Sequence, residues 1–78
     1  MQFNDKEISD LYRNIGKRVK ELREQKNVTQ LELSLEMGYK SVSLVSAAKL
    51  CNDGKHFNIE HLYKISKILD EDIGYFFK

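Results

Sequence analysis

Proline is absent from the 78 residues, glycine occurs four times and cysteine once. The missing proline and sparse glycine argue against collagen-like, linker-like and sandwich architectures. A lone cysteine cannot close an intrachain disulfide, so no covalent staple supports the core, and a free thiol fits a reducing compartment. Apolar runs reach only two or three residues. That predicts neither a membrane-spanning helix nor a signal-peptide core. Neither sign of charge dominates: 13 Lys and Arg oppose 12 Asp and Glu, for a formal net charge of +1. A balance of this kind decides nothing about nucleic acid, because distribution matters more than the total.

Catalytic patterns are missing too. There is no Gly-rich phosphate loop and no Ser-His-Asp series with supporting context. Cys51, His56 and His61 lack zinc-finger spacing and are too few for a structural site. The expectation is therefore no enzyme, no cofactor, no metal and no small-molecule substrate. Cys51 reads as a passive small hydrophobe, His56 as a side chain able to meet a phosphate, and His61 as a helix-surface residue.

What is present is helical periodicity. Residues 1–7 read as an N-terminal arm and 8–78 as one domain without repeats or linkers. Ile8, Leu11, Ile15, Val19 and Leu22 recur at three- and four-residue steps, predicting a first helix with that stripe inward. Asn4 or Asp5 is placed to cap it, and Asn27 to end it in a left-handed turn. Thr29-Gln30-Leu31-Glu32 has capping-box spacing and opens a short second helix with Leu31, Leu33, Leu35 and Met37 as its apolar residues. Gly38 is placed to end that helix at positive φ. A third helix is expected from about Ser41, with Leu44, Ala47 and Ala48 inward. Asn52-Asp53-Gly54 breaks it. Asn58 then caps a fourth helix bearing Ile59, Leu62, Ile65, Ile68 and Leu69, and Asp72 caps a last short one over residues 73–77. No strand is predicted.

Two short helices joined through a glycine turn form a helix-turn-helix unit, whose second helix offers its N-terminal side chains to the major groove. Leu33, Ser34, Met37, Tyr39, Leu44 and Ala47 fill its inward positions with apolar or small side chains. The series Ile15-Gly16-Lys17-Arg18-Val19-Lys20-Glu21-Leu22-Arg23-Glu24, then Thr29-Gln30, then Gly38, resembles the Cro/C1-type (xenobiotic-response-element, XRE) helix-turn-helix family of bacterial and phage DNA-binding proteins. Leu62 to Leu69 and Ile73 to Phe77 are similar to that family's fourth and fifth helices, so the resemblance spans Ile15 to Phe77.

The resemblance implies an all-α fold: a compact four- to five-helix, lambda-repressor-like DNA-binding domain. It further implies a sequence-specific transcriptional regulator, a small repressor or controller that binds operator DNA in the cytoplasm as a homodimer. Gln30 would contact the DNA backbone or support the reading helix, and the reading positions fall on Lys40, Ser41, Val42, Val45 and Ser46. Serines bond to several base edges and valines touch thymine methyls. Lys49 and Lys55 would reach phosphates, as could Lys17 or Arg13. Tyr75, Phe76 and Phe77 cannot all face inward from one helix. At least one should be exposed at the end where the family dimerises.

The sequence departs from the family in two ways. Its reading helix shows Ser, Val and Ala where members often carry Arg, Gln or Asn, and the stretch from Ala48 to Lys55 is longer than the usual ending. Residues 37–58 nevertheless hold three Lys against one Asp, the most basic part of the chain, while Asp70-Glu71-Asp72 gather elsewhere. The competing reading is a protein-interaction module on the same scaffold, such as an antitoxin-like partner-binding protein with weak DNA binding. Val42, Val45, Leu50 and Phe57 would then form an apolar docking surface.

Overall fold

The computed structural model describes residues 2–45 and 56–78. Four helical pieces are seen: α1 (Asp5–Gln25), α2 (Gln30–Glu36), α3 (Ile59–Ile68) and a 3-10 helix, η1 (Ile73–Phe77). A further helical turn runs over 43–45, the described part of the third helix expected from sequence. No strand occurs among the described residues. The architecture is all-α, as the pattern required.

Each helix starts on a side chain that replaces a missing backbone partner. Asn4 Oδ1 accepts the Lys6 N–H at 2.8 Å, so α1 opens at Asp5 and residues 5–7 form its first turn rather than an arm. Asp5 and Glu7 place negative charge on that turn, where the helix dipole favours it. Thr29 Oγ1 accepts from Glu32 N–H while Glu32 Oε1 accepts from Thr29 N–H, both at 3.1 Å. Hydrogen bonding to the carboxylate, first from the Thr29 backbone N–H and then from the Thr29 side chain, lowers the Glu32 pKa because it favours the ionised form. Asp72 Oδ1 accepts the Gly74 N–H at 2.7 Å and starts η1.

The three α-helices share one ending. At α1, Val28 N–H reaches Arg23 O at 3.0 Å and Asn27 N–H reaches Glu24 O at 3.1 Å. At α2 the same pair is Tyr39 to Ser34 at 2.9 Å and Gly38 to Leu35 at 3.0 Å, and at α3 it is Glu71 to Ser66 at 2.9 Å and Asp70 to Lys67 at 3.4 Å. These are Schellman endings, which need a residue in the left-handed region. Asn27 (φ 58°), Gly38 (φ 98°) and Asp70 (φ 54°) supply it.

The core gathers Ile15, Val19 and Leu22 of α1, Leu33 and Met37, Val45, Phe57, Leu62, Ile65 and Leu69, with Phe76 of η1 fully enclosed. Arg18 ties η1 to α1: its guanidinium donates to Lys78 O at 3.1 Å and lies 5.7 Å from the Tyr75 ring centre. The apolar stripes are longer than the core. Ile8 and Leu11 of α1, Leu31 and Leu35 of α2, and Ile59 of α3 are all exposed. Periodicity predicted them inward; in the fold they stay at the surface.

Candidate nucleic-acid interface

Thr29 and Glu32 fix the start of α2, and Gly38 turns the chain out of it within one residue. Residues 40–42 then bend before helical backbone resumes at 43, two residues later than the sequence predicts. Ser41 organises this entry. Its Oγ accepts the Ser43 N–H at 3.3 Å and sits 3.1 Å from the Ser43 hydroxyl. A serine bonded two residues ahead is a local turn-former competing with helix, which explains the late start.

Below the turn, Leu33, Ser34, Met37 and Val45 are buried, and Tyr39 and Leu44 pack partly against the same core. The tip is thereby held from underneath while Lys40, Ser41, Val42 and Ser43 stay exposed. Gln30, first residue of α2, is half-buried. Lys40, Ser41, Ser43, Tyr39, His56 and Asn58 wall an open cavity of about 560 Å³ beside the tip. One cation and two hydroxyls at the mouth of a surface groove suit phosphate oxygens and base edges.

Two histidines buttress this region. His56 stacks on Tyr12 of α1 with ring centres 3.6 Å apart and planes 13° from parallel. Its ring is committed to a packing contact, which the phosphate reading did not foresee. His61 is half-buried rather than a plain surface residue. It closes the Asn58 capping box and meets Tyr39 and Phe57 edge-on at 6.3 and 6.2 Å. Desolvation lowers its pKa, with Glu60 opposing and the charges of Lys64 and His56 assisting. The His56 stack was not legible, because Tyr12 lies far away in sequence; the His61 cap acts over three residues and was missed.

Several expected positions move. Val45 is only 1% exposed and belongs to the core, so it offers no methyl to DNA. The late helix start puts Val42 outside and Val45 inside. Phe57 is 2% exposed, so the alternative docking surface of Val42, Val45, Leu50 and Phe57 loses two members. Of the three C-terminal aromatics, Phe76 is buried, Tyr75 is half-buried beside Arg18, and Phe77 alone is exposed. Phe76 therefore supports the core rather than an interface. Ser46, Lys49, Leu50, Cys51 and Lys55 lie outside the described residues, as does the Ala48–Lys55 stretch. Ser43 was missed: an exposed hydroxyl, already paired with Ser41, that belongs with the tip. Arg13 and Lys17 are exposed on α1, where Arg13 also faces Asp10 at 3.9 Å.

No helix among the described residues is long and apolar enough to cross a membrane. Neither a curated protein nor a solved structure matches the chain. A family model described as helix-turn-helix matches residues 19–76. The match covers most of the chain and takes in α2, the Gly38 turn, α3 and most of η1. The chain belongs to the Cro/C1-type helix-turn-helix family of DNA-binding regulators.

Proposed function

We propose that the protein is a sequence-specific transcriptional regulator, a small repressor or controller that binds operator DNA in the cytoplasm as a homodimer. The observation that carries the reading is the tip itself: exposed Lys40, Ser41, Val42 and Ser43 on a frame locked by buried Leu33, Ser34, Met37 and Val45. Ser41 and Ser43 bond to base edges, Val42 meets a thymine methyl and Lys40 reaches a guanine or phosphate. Gln30, at the start of α2, contacts the DNA backbone or supports the reading helix. Ser46, Lys49 and Lys55 extend the reading and phosphate contacts.

Lys40 is the one cation among the described residues of the tip, and counterion release scales with the phosphates neutralised. Two copies on a two-fold site double those contacts and read half-sites about one helical turn apart. The rival protein-interaction surface is weakened by the burial of Val45 and Phe57.

Fluorescence anisotropy with duplexes selected from a random pool tests the reading. The protein should enrich a pseudo-palindromic sequence and bind it at least about 10³-fold more tightly than random duplex. Affinity should fall steadily as salt rises. Uniform binding across the pool, or affinity indifferent to salt, overturns it.

A further inference from the structure

Tyr39 is the last residue before the reading tip, and it is held from two sides. Its N–H donates to Ser34 O at 2.9 Å, which ties it to α2. Its ring meets the His61 ring edge-on, with centres 6.3 Å apart and planes 70° from parallel. His61 in turn packs edge-on against Phe57 at 6.2 Å, and Phe57 is buried in the core. The imidazole therefore stands between the core and the turn that carries Lys40 and Ser41. Tyr39, Lys40, Ser41 and Asn58 all wall the cavity beside the tip.

The α3 cap fixes the ring. His61 Nδ1 accepts the Asn58 N–H at 3.0 Å, and a backbone amide can only donate, so the proton of the neutral ring sits on Nε2. With a proton on Nδ1, two N–H groups would face each other across that distance. The ring would have to leave the amide, and with it the edge contacts to Tyr39 and Phe57. Among the described residues, the titratable and charged groups around it are Glu60 and Lys64 on α3, His56 on the preceding segment and Tyr39 on the turn. Burial outweighs the pull of Glu60, so the ring stays neutral into mildly acid solution.

We infer that His61 is a positioning residue for DNA discrimination: with Nδ1 bare it holds Tyr39, and through it Lys40 and Ser41, in the base-reading arrangement, and a proton on Nδ1 releases them. The inference rests on the DNA reading proposed above and makes that reading depend on one proton. Base edges are read by groups held to within about 0.5 Å, whereas phosphate attraction tolerates a looser tip. Acid should therefore cost sequence preference and spare general affinity. His56 shares the cavity, and a proton gained there adds a cation that draws any duplex. The two histidines thus move preference and random-duplex affinity in opposite directions.

Two measurements on the full chain test this, at a temperature where circular dichroism shows it folded throughout. The first is anisotropy with selected and random duplexes between about pH 7.5 and pH 5. The selected-over-random ratio should fall about three- to tenfold in the wild type, the effect of one lost hydrogen bond, while random-duplex binding holds or strengthens. His61→Gln, whose amide oxygen accepts without titrating, should keep its ratio flat whatever its starting value. His56→Gln should keep the wild-type fall. His61→Glu, the usual capping-box acceptor, repeats the test if His61→Gln loses stability.

The second is amide hydrogen exchange without DNA, corrected for the intrinsic pH dependence. Tyr39 N–H should lose more protection with acid than Val28 N–H, which makes the matching bond to Arg23 O at the end of α1. His61→Gln should remove that difference, whereas a merely structural role lowers both amides alike. A flat wild-type ratio, the wild-type fall persisting in His61→Gln, or equal loss at Tyr39 and Val28 overturns the inference. Tyr39 protection that follows His61 in a protein without sequence preference overturns the DNA reading and leaves the positioning of the turn standing. Sequence preference that ignores pH does the reverse.

Discussion

Asn58 and His61 satisfy each other's backbone at the start of α3: Asn58 Oδ1 accepts the His61 N–H at 2.8 Å, and His61 Nδ1 accepts the Asn58 N–H at 3.0 Å. The second bond requires Nδ1 to carry no proton. Burial lowers the His61 pKa from 6.5, against the pull of Glu60 and with the help of Lys64 and His56. The unfolded chain therefore binds more protons than the folded one in mildly acid solution. This contribution to stability is complete above the unfolded pKa and is lost as pH falls through the lower folded pKa. Thermal unfolding followed by circular dichroism should show Tm dropping between about pH 7.5 and pH 5, and His61→Gln, an acceptor that does not titrate, should reduce the drop. Identical pH slopes in the two proteins contradict the role given to His61.

Val42 and Val45 differ by three residues in sequence and sit on opposite sides of the surface, at 37% and 1% exposure. Val45→Ala should cost about 1–3 kcal/mol, from lost burial and the cavity left behind. For a domain of this size that is several degrees of Tm. Val42→Ala should stay within about 0.5 kcal/mol of wild type yet weaken operator binding. Urea unfolding of both variants checks the order, and the reverse order contradicts the assignment of Val45 to the core.

Ser34 is fully enclosed, and its hydroxyl has no hydrogen-bond partner among the described residues. Its carbonyl holds the Tyr39 N–H at 2.9 Å, a bond that any side chain preserves. Ser34→Ala should thus be neutral or stabilising by up to about 1 kcal/mol, since it removes a desolvated hydroxyl while keeping the small volume. A loss above about 1 kcal/mol in urea unfolding shows that the hydroxyl is satisfied.

The helices were legible because their signals are local. Thr29 with Glu32, Asn27 and Gly38 each act within a few residues, so spacing alone locates the caps and turns. Asp70 had the same left-handed role, but the three consecutive acids read only as a gathering of charge. Ile8, Leu11 and Ile59 mark the limit of periodicity: it tells which side chains share a face, not whether anything lies opposite. The reading tip shows a finer limit. A serine turn delayed the helix from 41 to 43, and that shift separates Val42 from Val45. The stack of His56 on Tyr12 and the central place of Phe76 depend on contacts between distant segments, which no local pattern carries. Near-neutral net charge hid the basic middle segment until the chain was divided.

The central claim is that Lys40 and Ser41 at the tip read DNA, whereas α1 only positions phosphate. Anisotropy titrations of the selected duplex, with circular dichroism confirming equal folding, compare Lys40→Ala/Ser41→Ala with Lys17→Ala. The account predicts that the double variant loses at least about tenfold in affinity for the selected site and much of its preference over random duplex. Lys17→Ala should weaken both duplexes alike and reduce the salt slope by about one. Loss of sequence preference in Lys17→Ala, with the double variant still discriminating, would contradict the placement of the reading surface.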